Sequence, residues 1–415
     1  MDAKAADLLR AEIESEFARS ARGETCTTFP ALPEIPTARY ADAEFAALEQ
    51  QYLWPKTWLI AGHVDELPDI GSYKLWTDSG VPVILVRDKD RNINAFYNVC
   101  RHRGGPLVMQ PSGTLTTFSC KMHGWTYDLR GALKFVTDEH EFPGLDKSVR
   151  NLPPLRCELW GHFIFVNRDN HAPPLREWLG HFTKEFKDYD FENRHVFATV
   201  EYEMDCDWKI GIESNAEIYH FPVVHKGTVD EVFDHRGGVI DLYAHGHSRM
   251  IVPYRKEFSK LAAEMFNVRA RAPTQMLTKE AIPNYLIFPN LLCSANEFQF
   301  PLITYWPQGN GKTKMLLYYT SPFADEDPES AESREVINAF TVALEEDRAP
   351  LCALQQAYAS GLIATARVST AERRLYHLQE HIDNVIGSNN IPPRFRVPPM
   401  TEPHIEAHRL PEETR

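Results

Sequence analysis

The sequence predicts an α+β protein of two or three units, on three observations. Short apolar runs bounded by turn residues fill about 56–170. After 170 the pattern mixes helix and strand. The chain has 415 residues, 43% of them hydrophobic, which is too long for one small domain and enough to bury a sizeable core.

In chain order, residues 1–20 are rich in helix formers and predict a short helix. Pro30, Pro33 and Pro36 mark a connector over 27–37. Residues 41–54 predict a second helix anchored by Phe45, Leu48 and Leu53. Val81–Val86 and Ile93–Tyr97 predict strands around the charged turn Asp88–Asn92, and Phe163–Val166 predicts another. Further on, Leu302–Trp306 and Met315–Tyr319 predict a hairpin around Pro307–Gly311, and 326–360 predicts a long helix. No repeat or low-complexity tract interrupts the pattern.

Composition excludes several functions. The 44 Lys and Arg against 58 Asp and Glu give a formal charge of −14, which repels phosphate backbones and argues against nucleic-acid binding. The seven cysteines (Cys26, Cys100, Cys120, Cys157, Cys206, Cys293 and Cys352) are odd in number and scattered, as in a reducing compartment without a disulfide framework. The first residues lack a basic-then-apolar leader pattern, and no apolar run reaches membrane length. A cytoplasmic protein without membrane contact is expected. Gly309-Asn310-Gly311-Lys312-Thr313 ends like a phosphate loop, but Trp306 stands where that motif needs its first glycine. No dinucleotide fingerprint occurs either.

Two constellations carry chemistry. The first is Cys100 and His102, then, after seventeen residues, Cys120 and His123. Two thiolates and two imidazoles on two loops suit a Rieske [2Fe-2S] cluster, in which one iron takes the sulfurs and the other the nitrogens. They also suit tetrahedral zinc. The flanking residues separate these: Cys100-Arg101-His102-Arg103-Gly104 and Cys120-Lys121-Met122-His123-Gly124-Trp125 resemble the two cluster loops of Rieske proteins. Gly104, Gly105 and Gly124 permit the close approach and unusual φ that such loops need.

The second runs from Trp208 to His225. Trp208–Glu213 predicts a helix, which would put Glu217 and His220 on one face. Pro222 would break it and let the chain bring His225 back. Two histidines and a carboxylate leave positions of an iron open for dioxygen and substrate.

With both constellations in place, nearly the whole chain resembles the α (oxygenase) subunit of the Rieske non-heme iron oxygenases, the aromatic-ring-hydroxylating oxygenase family. Tyr52-Leu53-Trp54-Pro55-Lys56-Thr57-Trp58, the Trp208-Lys209 helix and Phe288-Pro289-Asn290 also match that pattern. The resemblance implies an N-terminal helical segment (1–55) packed on the catalytic domain, an antiparallel-β Rieske domain (56–170), and a helix-grip catalytic domain with a central antiparallel sheet (171–415). It places the cluster on Cys100, His102, Cys120 and His123, the mononuclear iron on His220 and His225, and the bridge between centres on Glu217. The carboxylate ligand falls on Asp347, in Leu344-Glu345-Glu346-Asp347-Arg348, with Gln355 eight residues later. Glu346 and Asp383 are the rivals for that role. Most of the family carries Asp at the bridge; Glu217 resembles the carnitine and betaine branch. Ser214 stands where Asn is common, with Asn215 next to it.

The resemblance further implies a homotrimer without a β subunit, fed by a separate NAD(P)H reductase with a ferredoxin as optional intermediary. It would use O2 to hydroxylate or dealkylate a small organic substrate, with ring cis-dihydroxylation in aromatic catabolism as the alternative. Phe221, Tyr285, Phe298, Phe300, Tyr305 and Trp306 are candidate pocket walls, fitting either a quaternary ammonium or a planar aromatic. A non-enzymatic Rieske carrier or a zinc-stabilised binding protein would need no second constellation.

Overall fold

The computed structural model describes residues 3–256, 258, 280–295 and 300–405. The chain forms two units, Trp54–Leu175 and Met1–Leu53 joined with Arg176–Arg415. Among the described residues no disulfide forms, and no helix is long and apolar enough to cross a membrane.

The smaller unit is built from short antiparallel strands. These are β1 (Leu59–His63), β2 (Ser72–Trp76), β3 (Val83–Arg87), β4 (Ile93–Tyr97), β5 (Ser112–Thr114), β6 (Phe118–Ser119), β7 (Thr126–Tyr127), β8 (Leu133–Phe135), β9 (Arg156–Trp160) and β10 (Phe163–Asn167). They pair in the orders β4-β3-β2-β5, β6-β7-β8 and β9-β10-β1. Val83, Ile84, Leu85 and Val86 are all buried, so this run is apolar on both faces rather than alternating. The charged turn closes because the Asp88 carboxylate accepts from the backbone N–H of Asp90 and Asn92, while Arg91 takes a left-handed φ of 65°. Ile84, Val86, Phe96, Leu107, Phe118 and Trp125 form one core with Cys100 and Cys120, so the cluster loops are packed into the domain.

In the larger unit seven strands of the described residues form one antiparallel sheet. They are β11 (His195–Met204), β12 (Val239–Leu242), β13 (Ser248–Pro253), β14 (Ala281–Ile287), β15 (Leu291–Ser294), β16 (Leu302–Gly309) and β17 (Lys312–Ser321), in the order β11-β17-β16-β15-β14-β13-β12. The β16–β17 hairpin is longer than its apolar runs predict. The turn is only Asn310-Gly311, both at positive φ, the chemistry of a two-residue turn that matches strand twist.

Helix α1 (Ala3–Ala21) lays Leu9 and Ile13 against Val239, Ile251 and Ala281 of the sheet. Helix α2 (Ala43–Leu48) is followed by a wider turn, Glu49–Leu53. The segment is tied into the larger unit by buried charge. Arg39 donates to Asp383 at 2.6 Å and to the Gln379 side chain at 2.7 Å. The Lys209 ammonium sits between Glu49 at 2.7 Å and Asp207 at 2.8 Å. Lys209 lies on α3 (Trp208–Ser214), so the N-terminal segment fixes the helix that leads into the second constellation.

Helix α3 stops earlier than the sequence pattern suggests. Ser214 Oγ and Asn215 Nδ2 both donate to the Gly211 carbonyl, and side chains that capture last-turn carbonyls end a helix. Glu217 and His220 therefore lie in the following turn, not on a helix face. Pro222 does not break a helix; it sits in the first turn of α4 (Phe221–Val224), where its missing N–H costs nothing. Two later helices complete the unit, α5 (Ala331–Ala359), capped by Ser330, and α6 (Arg373–Ile386).

A buried polar network behind the sheet sets an acid limit on stability. Burial alone would raise the Glu185 carboxyl, but Arg249, at 2.7 Å, and His181, at 2.9 Å, hold it down at about 2. A depressed carboxyl contributes stability that is present above its unfolded value of about 4.5 and lost as pH falls towards 2. The difference corresponds to about 3 kcal/mol at neutral pH. Glu185→Gln is expected to unfold at lower temperature than the native chain at pH 7, with the gap narrowing between pH 4.5 and about 2. Parallel thermal melts across that range measure it.

Two candidate metal centres

The two Cys-His loops of the smaller unit are built alike. In the first, Cys100 N–H donates to the Gly105 carbonyl at 2.8 Å and Gly104 N–H to the Cys100 carbonyl at 3.0 Å. In the second, Cys120 N–H donates to Trp125 O at 2.9 Å and Gly124 N–H to Cys120 O at 3.0 Å. Gly104 and Gly124 have φ of 84° and 71°, so both loops depend on glycine for the reverse turn. A Cβ on Gly105 would come within 3.2 Å of Cys120 Sγ and 2.8 Å of Met122 Sδ.

These loops converge their donors. Cys100 and Cys120 are buried in one core, and the His102 and His123 rings are 4.6 Å apart. Trp125 stacks on His102 at 4.9 Å. Burial, then the nearby His123, lowers the pKa of His102 and keeps its imidazole neutral. Its Nδ1 is buried without a hydrogen-bond partner among the described residues. A buried nitrogen left open beside two thiols and a second imidazole fits a [2Fe-2S] group held by two sulfurs and two nitrogens.

Tyr127 was not singled out by the sequence. Its hydroxyl lies 3.3 Å from Cys100 Sγ and accepts from the Arg101 N–H at 3.0 Å. Nothing distinguishes it in the sequence from a core tyrosine on a strand. Thr137, whose hydroxyl donates to the His123 carbonyl at 2.7 Å, is equally silent.

In the larger unit, His220, His225 and Asp347 bring one donor atom each within 4.8 Å of one another. Asp347 Oδ1 lies 3.3 Å from His225 Nε2 and 3.8 Å from His220 Nε2. The far side of each ring is held by a carboxylate: His220 Nδ1 by Glu217, and His225 Nδ1 by Glu346 at 2.7 Å. Thr228 Oγ1 donates to the same Glu346 oxygen at 2.7 Å. A carboxylate at Nδ1 fixes the tautomer that presents Nε2 as the ligand. Burial alone would lower the pKa of His225, but Asp347 and Glu346 hold it above its ordinary value. The same His225 and Thr228 bonds lower Glu346 against its burial. The donor set, two imidazoles and one carboxylate, fits a facially held iron.

The rivals to Asp347 are occupied elsewhere. Glu346 faces the other side of His225, and Asp383 pairs with Arg39 and accepts from the Val397 N–H. Among the candidate pocket walls, Phe221 lies 5.0 Å from His220 and 5.5 Å from His225. Tyr285 and Phe300 pack instead with Phe186 and Tyr189 in the buried network, and Phe298 lies outside the described residues.

Residues 57–168 match the Rieske [2Fe-2S] domain, and residues 191–388 match the ring hydroxylating alpha subunit (catalytic domain). The chain carries a Rieske [2Fe-2S] domain and a ring hydroxylating alpha subunit catalytic domain. It is similar to the glycine betaine monooxygenase oxygenase subunit of Pseudomonas aeruginosa (strain UCBPP-PA14), 31% identical over 186 residues that cover 45% of this chain and 43% of that one. The chain spans about half the length of the curated relatives it matches. Among solved structures, the fold is similar to that of naphthalene 1,2-dioxygenase from Rhodococcus sp. bound to indole. The TM-score is 0.71 and the identity 18%, over 93% of this chain and 98% of that one. It is also similar to a quaternary ammonium Rieske monooxygenase, with a TM-score of 0.70 and 19% identity over 85% of this chain and 95% of that one.

Proposed function

We propose that the chain is a terminal monooxygenase that hydroxylates or dealkylates a small organic substrate, drawing electrons from a separate NAD(P)H reductase. The observation that carries this is the presence in one chain of both donor sets: Cys100, His102, Cys120 and His123, and His220, His225 and Asp347. When bound, the cluster supplies single electrons and the iron supplies open positions for activating dioxygen. The chain's own residues do the rest. Trp125 shields the His102 face, Glu217 and Glu346 hold the Nδ1 protons of the two iron-site imidazoles, and Asp347 completes the face.

The relative that acts on glycine betaine favours a quaternary ammonium substrate. Phe221, next to the two histidines, supports it, and behind Phe221 lie Phe233, at 6.4 Å, and Tyr254, which stacks on Phe233 at 5.3 Å. Such faces attract a cation. The test is a screen of betaines and planar aromatics with a surrogate reductase. Formaldehyde and a demethylated amine, formed in proportion to NADH oxidised, are expected from a betaine. A cis-dihydrodiol from an aromatic would establish ring dihydroxylation instead.

The proposal extends to a cytoplasmic homotrimer in which electrons cross between neighbouring chains. Two exposed apolar groups support a covering partner: Tyr219 and Val223 on either side of His220, and Met109 and Met122 on the cluster loops. Glu217 is then the bridge. One of its oxygens holds His220 Nδ1 and the other accepts from the Tyr219 and His220 N–H groups. Glu217→Gln keeps the size and removes the charge. It is expected to retain the cluster and, at saturating Fe(II), the iron, while slowing inter-centre electron transfer by about a hundredfold. Rapid mixing of reduced protein with dioxygen and substrate measures it; cluster oxidation at nearly the native rate would reduce Glu217 to orienting His220.

A further inference from the structure

Arg374 lies in the first turn of α6 and is completely buried. Its guanidinium donates only to neutral atoms. Nε reaches Ser248 Oγ on β13 at 2.9 Å. Nη1 reaches Asn284 Oδ1 on β14 at 2.8 Å and the Ala216 carbonyl at 3.0 Å. Nη2 is buried without a partner among the described residues. Asp241, the carboxylate whose charge reaches the guanidinium, is bound to Arg249 at 2.6 Å. A buried cation without a carboxylate costs stability, and a well-packed apolar side chain of similar volume often serves a core as well or better. What an apolar side chain cannot supply is the planar fork of donors.

That fork ends on the turn that carries the iron-site residues. Asn284 is its other half: Nδ2 donates to the Asn215 carbonyl at 3.2 Å and to Ser294 Oγ on β15 at 3.0 Å. Two successive carbonyls just past α3, those of Asn215 and Ala216, are thus held to α6 and the sheet. Two residues beyond Ala216, Ile218 packs into the core with Ile240 and Met250. Glu217 therefore stands between a tethered carbonyl and an anchored side chain, and its carboxylate holds His220 Nδ1. Glu217 and His220 lie outside helix and strand, so these tethers, rather than a backbone ladder, set their place.

We propose that Arg374, with Asn284, is a positioning residue of the metal centre: its guanidinium fork hangs the Asn215–Ala216 turn from the sheet and so aims Glu217 and His220. A rotation at Ala216 would carry both away from Asp347. This rests on the iron-site assignment above.

The test uses Arg374→Lys, which keeps the buried charge and the stem but replaces the fork with one nitrogen that cannot serve the same three acceptors. Asn284→Ala cuts the other half of the clamp and decides in its place where Arg374→Lys does not fold. Native protein, both variants and Asp347→Ala, all carrying the cluster, are depleted of mononuclear iron and titrated anaerobically with Fe(II) against a chelator. Melting temperatures without Fe(II) and the EPR spectrum of the nitric oxide adduct are also recorded. Each clamp variant is expected to keep the reduced-cluster signal and to bind Fe(II) about tenfold more weakly. The rhombicity of the nitric oxide signal is expected to change, because a reoriented His220 ring alters the field at the iron. A residue that only fills the core would lower the melting temperature and leave the folded protein's Fe(II) affinity and nitric oxide spectrum native. A dissociation constant within about threefold of native overturns the proposal, whatever the melting temperature does. If native protein and Asp347→Ala bind Fe(II) equally, the iron-site assignment itself fails. If they differ and the clamp variant matches native, only the role of Arg374 fails.

Discussion

Cys120→Ser protein is expected to be purified colourless, without the visible absorbance or the reduced-state EPR signal of a [2Fe-2S] cluster, and with the larger unit still folded. The thiol of Cys120 is buried at the centre of its loop, beside Cys100, and its backbone closes the turn against Trp125 and Gly124. A serine hydroxyl is a harder and far less acidic ligand than a thiol, so it does not replace the thiolate as a cluster ligand. The larger unit has its own antiparallel sheet and its own core, with Ile218, Ile240, Leu242, Met250 and Val252 packed around Phe29. Loss of the cluster therefore does not remove what holds that unit together. Circular dichroism of the variant should keep most of the native helix and strand signal. A Cys120→Ser protein with the native cluster spectrum would show that the sulfur comes from another residue.

Asp347→Ala is expected to do the converse. It should keep the cluster spectrum, lose the mononuclear iron and abolish turnover. Loss of residues that merely orient ligands costs about 10- to 100-fold in metal affinity, so loss of a ligand should exceed that. The comparison with its neighbour sharpens the expectation. Glu346→Gln removes the carboxylate behind His225 but leaves all three donors, so it should weaken iron binding by about 10- to 100-fold without abolishing it. Full activity in Asp347→Ala would reassign the ligand, with Glu346 and Asp383 the first to try.

How much of this was legible in the sequence depends on the range of the interaction. The cluster quartet is local: two short motifs, each with its own glycine turn, state their donors outright. Glu217, His220 and His225 are local as well, but their geometry was misread. The i, i+3 spacing of Glu217 and His220 suggested a helix running on to a break at Pro222. The side chains of Ser214 and Asn215 capture the Gly211 carbonyl instead and end it, and such captures leave no periodic trace. Asp347 lies more than a hundred residues downstream on α5 and could be placed only by resemblance. Of the larger sheet only the β16–β17 hairpin was legible; its other strands and their order were not, since a local pattern does not show which distant strand is the neighbour. The pairing of β11 with β17, at opposite ends of the sheet-forming segment, is of that kind. Tyr127, Thr137 and Thr228 carry no motif. Their significance lies in where the fold places one hydroxyl.

The central claim, that one chain holds both a cluster and a separate iron, is tested most directly by counting metal and sulfide. Iron, zinc and acid-labile sulfide are measured per chain in native protein and in Asp347→Ala, together with the EPR spectrum after reduction. The account expects three irons and two sulfides in the native protein, two irons and two sulfides in Asp347→Ala, and the same rhombic signal from both. Zinc without sulfide in a colourless native protein would contradict it, as would an iron content that Asp347→Ala leaves unchanged.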